Sequence, residues 1–210
     1  MNYVDSQGRS RRIGEVIGLT LAQAKLLEPD RYDDGRLLQL SDGNWYYYNA
    51  ASVLTADDFL VLQPTRSKAG RWLLAPGHPF KLALPIGFAL ADAAVLCTSP
   101  NTTGFLAQLG RSFWEVTADW TGGAASTIGA SLSAAPHNTK GDVLGGAAGD
   151  VAATLVASGG KLLGTIGADV AGGILWKGNV AVRYDEITSA FTAGAGFVHL
   201  VGVCHANPGA

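Results

Sequence analysis

Four histidines (His78, His137, His199, His205) and two cysteines (Cys97, Cys204) are the side chains best suited to hold a metal or carry a nucleophilic reaction. Their spacing argues against both. A zinc centre needs Cys or His pairs a few residues apart. The chain has no CxxC, no HxH and no HExxH, only the adjacent Cys204-His205. No serine stands in a GxSxG turn that would expose it as a nucleophile. The carboxylate pairs Asp33-Asp34, Asp57-Asp58 and Asp185-Glu186 fall near predicted turns or strand edges, where solvated acids are ordinary. A calcium loop would need more oxygen ligands at short spacing. The stretch Lys140-Gly141-Asp142-Val143-Leu144-Gly145-Gly146-Ala147-Ala148-Gly149-Asp150 is glycine-rich, but its lysine precedes the glycines and acids flank them. A phosphate loop needs the lysine after the glycines, at the start of a helix. The expectation is a chain without catalytic residues, metal or cofactor.

Two groups remain as candidates for binding. Arg9, Arg11 and Arg12 form a short basic arm, which reads either as a solvated terminus or as a contact to an acidic protein surface. With a net charge of −2 and no other basic tract, nucleic-acid binding through phosphates is not expected. Trp45-Tyr46-Tyr47-Tyr48 is the second group. Alternation in a strand places Trp45 and Tyr47 on one face and Tyr46 and Tyr48 on the other, so one pair packs the core and the other meets an interface. Trp45, Tyr47, Trp114 and Trp120 are the interface aromatics this reading selects.

These side chains must be positioned by β-structure. Thr20 caps a short helix, LAQAKLL, ended by Pro29. RLLQL, the turn SDGN and WYYYNA read as a hairpin, because Asp42-Gly43 favours a tight turn between β-prone runs. DFLVLQP and GRWLLAP add strands. The Pro76-Gly77-His78-Pro79 break marks a boundary between an arm with a small β module (1–77) and a C-terminal domain (78–210). After it, short β-prone runs are separated by glycine, asparagine and serine, the pattern of an antiparallel sandwich or jelly-roll-like domain. Two segments echo each other: Val116-Thr117-Ala118-Asp119-Trp120-Thr121-Gly122-Gly123-Ala124 and Ile187-Thr188-Ser189-Ala190-Phe191-Thr192-Ala193-Gly194-Ala195. They read as equivalent hairpins of one sandwich.

Composition bounds the setting. Of 210 residues, 48% are apolar and only 15% charged, against roughly 25% in ordinary globular chains. Mean hydropathy is +0.19. A surface so poor in charge suits a chain covered by other subunits. The apolar run Leu82–Cys97 is interrupted by Pro85, Gly87 and Asp92, and is shorter than the ~20 residues a bilayer span needs. The opening residues MNYVDSQGRSRRIGEV lack an apolar signal region, so neither membrane nor secretion is expected. The cysteines are expected to be reduced and buried; a disulfide would need their strands to be neighbours.

Two stretches carry a resemblance. Asp42-Gly43-Asn44-Trp45-Tyr46-Tyr47-Tyr48, followed by Pro64-Thr65 and Gly70-Arg71-Trp72-Leu73-Leu74, resembles a small module of tailed-bacteriophage virion proteins. The block from Leu84-Pro85-Ile86-Gly87-Phe88 to Val201 is similar to β-domains of phage capsid decoration proteins and fibres. It includes Asn138-Thr139-Lys140-Gly141-Asp142 and Ile187-Thr188-Ser189-Ala190-Phe191. The resemblance implies a virion location and a structural role, most simply a capsid decoration (cement) protein bound to the major capsid protein or other virion proteins. A homotrimer is expected. A tail or head fibre or adaptor that contacts host glycan is the alternative. The matching motifs are structural, so no catalytic residue is implied.

Overall fold

The computed structural model describes residues 2–4, 10–12, 16–29, 33–65, 70–100, 104–122, 126–145, 149–157, 161–162, 164–167, 170, 173–187 and 191–207. The fold is mainly β, with one short helix near the N-terminus and several antiparallel sheets. The chain forms two compact units: Met1–Phe80 with Pro100–Leu106 and Val203–Ala210, and Lys81–Ser99 with Ala107–Gly202.

In the first unit, β1 (Asn2–Val4) and β2 (Ser10–Arg12) pair only with each other among the described strands. A five-stranded sheet follows, built from β3 (Val16–Leu19), β4 (Leu37–Leu40), β5 (Trp45–Asn49), β6 (Val61–Leu62) and β7 (Arg71–Leu74) in the order β3-β4-β5-β7-β6. The helix α1 (Leu21–Lys25) starts at Thr20 through a capping box: Thr20 Oγ1 accepts from Gln23 N–H, and Gln23 Oε1 accepts from Thr20 N–H. The β4–β5 hairpin forms at Asp42-Gly43, where Asn44 N–H donates to Asp42 Oδ1 and Gly43 adopts φ 93°. Alternation then buries Leu38, Leu40, Tyr46 and Tyr48 on one face. Arg71 is buried too. Its Nε donates to Leu54 O and its Nη1 to Gly70 O, so backbone carbonyls satisfy the guanidinium.

The second unit is a sandwich of two sheets. The six-stranded sheet contains β14 (Lys161–Leu162), β11 (Phe113–Gly122), β17 (Phe191–Ala206), β10 (Leu106–Leu109) and β15 (Ile174–Trp176) in that order, with β8 (Pro79–Gly87) also paired to β17. The four-stranded sheet runs β13 (Asp150–Val151), β12 (Thr127–Leu132), β16 (Ala181–Ile187), β9 (Val95–Thr98). Leu82, Leu84, Trp114, Trp176, Val198 and Leu200 from the first sheet, and Ile128, Ala130, Leu132, Val182 and Tyr184 from the second, are all buried. Pro79 and Pro85 lie exposed on β8, whose one described neighbour is β17, so their missing N–H groups break no ladder there.

The echo segments are neighbours, but they are not hairpins. β11 pairs with β17 and β12 with β16, so the chain changes sheet between Gly122 and Thr127 and again between Ile187 and Phe191. The chain leaves the six-stranded sheet after the first echo's Trp120 and Gly122, and re-enters it at the second echo's Phe191. Their matching aromatics, Trp120 and Phe191, meet edge-on with centroids 5.0 Å apart, and Thr121 and Thr192 share a hydroxyl hydrogen bond.

Candidate functional site

The described acids and bases converge most densely on the four-stranded sheet, around the glycine-rich segment. There the structure builds a clasp. Leu144 bridges Ala130 on β12 and Ile166 on its other side. Gly129 and Gly145 allow the close approach: a Cβ on Gly129 would lie 3.2 Å from Gly141 Cα, and one on Gly145 would lie 2.6 Å from Ile128 O. The segment is then pinned to β16. Asp185, 1% exposed, accepts from Ser131 Oγ (2.9 Å) and from Gly141 N–H (3.0 Å). Arg183 Nη2 donates to Leu132 O and Asn138 O. Lys140 Nζ donates to Asp92 Oδ2 and to Glu186 O, while Asp92 Oδ1 accepts from Glu186 N–H. Burial pushes the Asp185 carboxyl above the ordinary range, and its hydrogen bonds offset part of that rise. Burial acts the same way on Asp92, but the Lys140 bond and the Glu186 amide outweigh it, so its carboxyl is held below the ordinary range.

Other buried aspartates have the same role. Asp150 accepts from Trp114 Nε1–H, Thr165 N–H and Thr165 Oγ1–H. Asp142 accepts from Thr139 N–H. In the first unit, Asp57 Oδ1 accepts three amides, those of Phe59, Leu60 and Val61. It lines an open cleft with Lys25, Asp58, Gln63, Pro64 and Thr65, where Lys25 is paired to Asp58 at 2.6 Å. These carboxylates hold backbone in place. Acid–base chemistry needs one within reach of a substrate proton.

One arrangement has the outline of catalytic machinery. His199 Nε2 meets Glu115 Oε2 at 2.5 Å, a diagonal contact across the β11–β17 ladder. The imidazole stacks on Phe113 with centroids 4.6 Å apart, and Phe197 lies beside it. A carboxylate orienting a histidine is two-thirds of a nucleophilic triad. The third part is missing among the described residues: His199 Nδ1 is buried and has no hydrogen-bond partner, hydroxyl or thiol included. In the sequence His199 sits inside an apolar strand run, and nothing local connects it to Glu115. The signal was present in the i, i+2 spacing of Phe113/Glu115 and Phe197/His199, but only the pairing of the two strands joins them.

The aromatics selected from sequence divide. Trp45 is half-buried and stacks on His78 at 5.0 Å. Tyr47 is half-buried and its hydroxyl donates to Asn207 O, within the first unit. Trp114 and Trp120 are core residues, 0% and 3% exposed, and present no surface to a partner. Their expected interface role is corrected: both lie on the inward face of β11, where alternation turns them into the sandwich. Arg9 lies outside the described residues. Arg11 and Arg12 pair through backbone with Tyr3 and Asn2. Cys97 and Cys204 are buried free thiols, and burial pushes Cys204 up to about 12, which keeps it protonated at neutral pH. Among the described residues, no three His, Cys, Asp or Glu side chains are grouped to hold a metal ion. Comparison with known proteins finds no matching family model, no matching curated protein and no matching solved structure.

Proposed function

We propose that this chain is a structural component of a tailed-bacteriophage virion, a decoration protein that binds the assembled head and stabilises it. One observation carries the non-enzymatic part of this reading: the buried aspartates of the second unit, Asp142, Asp150 and Asp185, each accept backbone amides that close loops onto the sandwich. This chemistry makes a rigid body. The sequence resemblance supplies the virion setting. A protein that binds an assembled lattice and not its free subunits stabilises the lattice by mass action, and symmetric copies bridging neighbours add avidity without strong single contacts. Val95 on β9 and Leu175 on β15, 62% and 52% exposed at the ends of the two sheets' strand orders, are apolar side chains that a neighbouring copy in a trimer would cover. The fibre or adaptor alternative would stack host glycan on exposed aromatics such as Trp45, Trp114 or Trp120. With Trp114 and Trp120 in the core, it is the weaker one.

The test is location and copy number in intact particles, measured by quantitative mass spectrometry with labelled antibody imaging. Hundreds of copies on the head support decoration. A handful at a vertex or on the tail would replace it with the fibre or adaptor role.

A further inference from the structure

At the corner end of the sandwich, three buried polar atoms lack a hydrogen-bond partner: Trp120 Nε1, Tyr184 Oη and Glu186 Oε1. Their side chains are neighbours. The Trp120 and Tyr184 rings stack with centroids 6.4 Å apart and planes 27° from parallel. Tyr184 and Glu186 are two apart on β16 and so share its face. Unpartnered polar atoms in a native interior are rare, because each forfeits the hydrogen bonds that water would have given it. Three in one place point to a bound group that satisfies them together.

We propose that Trp120, Tyr184 and Glu186 form an internal site for one structural water molecule, which bridges the two sheets where the chain crosses between them. The donor set selects this ligand. The indole N–H only donates, and a carboxylate oxygen only accepts. A cation would meet the indole hydrogen, and an anion would meet the carboxylate. A neutral group with both roles fits. Water accepts from Trp120 Nε1–H, donates to Glu186 Oε1 and accepts from Tyr184 Oη–H, the three bonds typical of a buried water. Burial, and then the charges of Glu186, Asp92 and Asp185, keep the Tyr184 phenol protonated and able to donate. Gly194 belongs to the same device. Its φ is +139°, and a Cβ there would lie 2.4 Å from Trp120 Cδ2, so glycine lets the indole lie against β17. This inference is independent of the virion reading.

The test is a crystal structure of the full chain at atomic resolution, with denaturation of the wild type and Tyr184→Phe. The expected result is one solvent peak at about 3 Å from all three atoms. Tyr184→Phe removes one of the water's partners and is expected to lower the folding equilibrium constant about fivefold. An empty site, or the three groups bonded to other protein atoms, would overturn the inference. So would a Tyr184→Phe variant more stable than the wild type, the outcome for a hydroxyl that is merely buried and unsatisfied. If that variant does not fold, the solvent peak alone decides.

Discussion

Asp185 is a buried carboxylate whose nearest hydrogen-bond donors are a serine hydroxyl and a glycine amide. Removing it should leave both donors facing an apolar gap. Asp185→Ala is therefore expected to destabilise the fold by about 1–3 kcal/mol, read from urea denaturation. Asp185→Asn should do far less, because its amide oxygen can accept from Gly141 N–H while its amide nitrogen donates to Ser131 Oγ. The pH dependence separates the two effects. The folded Asp185 carboxyl titrates above its unfolded value, so the folded state holds the proton more tightly. Its contribution to stability falls as pH rises from the ordinary carboxylate value through the raised one. The stability of Asp185→Asn relative to wild type should therefore increase between pH 4 and pH 7; a flat difference would show that Asp185 is not titrating as the burial argument requires. Asp92 has the opposite sign, since Lys140 and the Glu186 amide hold it low: its contribution is present above the ordinary carboxylate value and lost as pH falls through its own. That exposed pair should matter little, and Lys140→Ala is expected to cost no more than about 1 kcal/mol. None of this was legible from Asp185-Glu186 as a sequence pair, which reads as a strand-edge charge until the 139–145 segment is laid over β12 and β16.

At the scale of elements, local chemistry was the legible part. Thr20 starts a helix because a cap acts within a few residues, while the helix ends at Lys25, two residues short of the LAQAKLL that Pro29 was expected to close. Asp42-Gly43 fixed a hairpin because its turn is decided by those two residues and their neighbours. Alternation sorted Tyr46 and Tyr48 from Trp45 and Tyr47 correctly. The same rule applied to β11 does not say which face is inside, and Trp114 and Trp120 were assigned outward for that reason. The corners were illegible because a strand, a glycine-containing break and another strand look alike whether the second strand folds back or crosses to the other sheet. The packing of the glycine-rich segment against β12 depends on contacts distant in sequence. Gly145 tests that packing. It has φ +95°, and its Cβ would meet Ile128 O at 2.6 Å and Gly129 Cα at 2.9 Å, backbone atoms with no freedom to move aside. Gly145→Ala is expected to lower stability by about 2 kcal/mol or more, measured by thermal unfolding. An unchanged midpoint would mean that the segment does not pack closely on β12.

At the scale of the whole molecule, the chain is poor in charge, and Val95 and Leu175 stand exposed on the last strands of the two sandwich sheets. The proposed trimer would cover Val95 and Leu175 between copies, so Val95→Glu and Leu175→Glu are expected to shift the sedimentation of the purified protein from trimer to monomer while far-UV dichroism stays the same. The arm is separable in the same sense: β1 and β2 pair with each other and with no other described strand, so deleting residues 1–12 should leave the β3–β7 sheet and the sandwich folded. What the deletion should weaken is attachment, through loss of Arg9, Arg11 and Arg12. The central claim is that the protein binds an assembled head. Co-sedimentation of the full-length chain with undecorated heads, isolated tails and host cells tests it most directly. Saturable binding to heads is expected, in hundreds of copies, reduced for the chain lacking residues 1–12. Binding to tails or host cells, with none to heads, would contradict it.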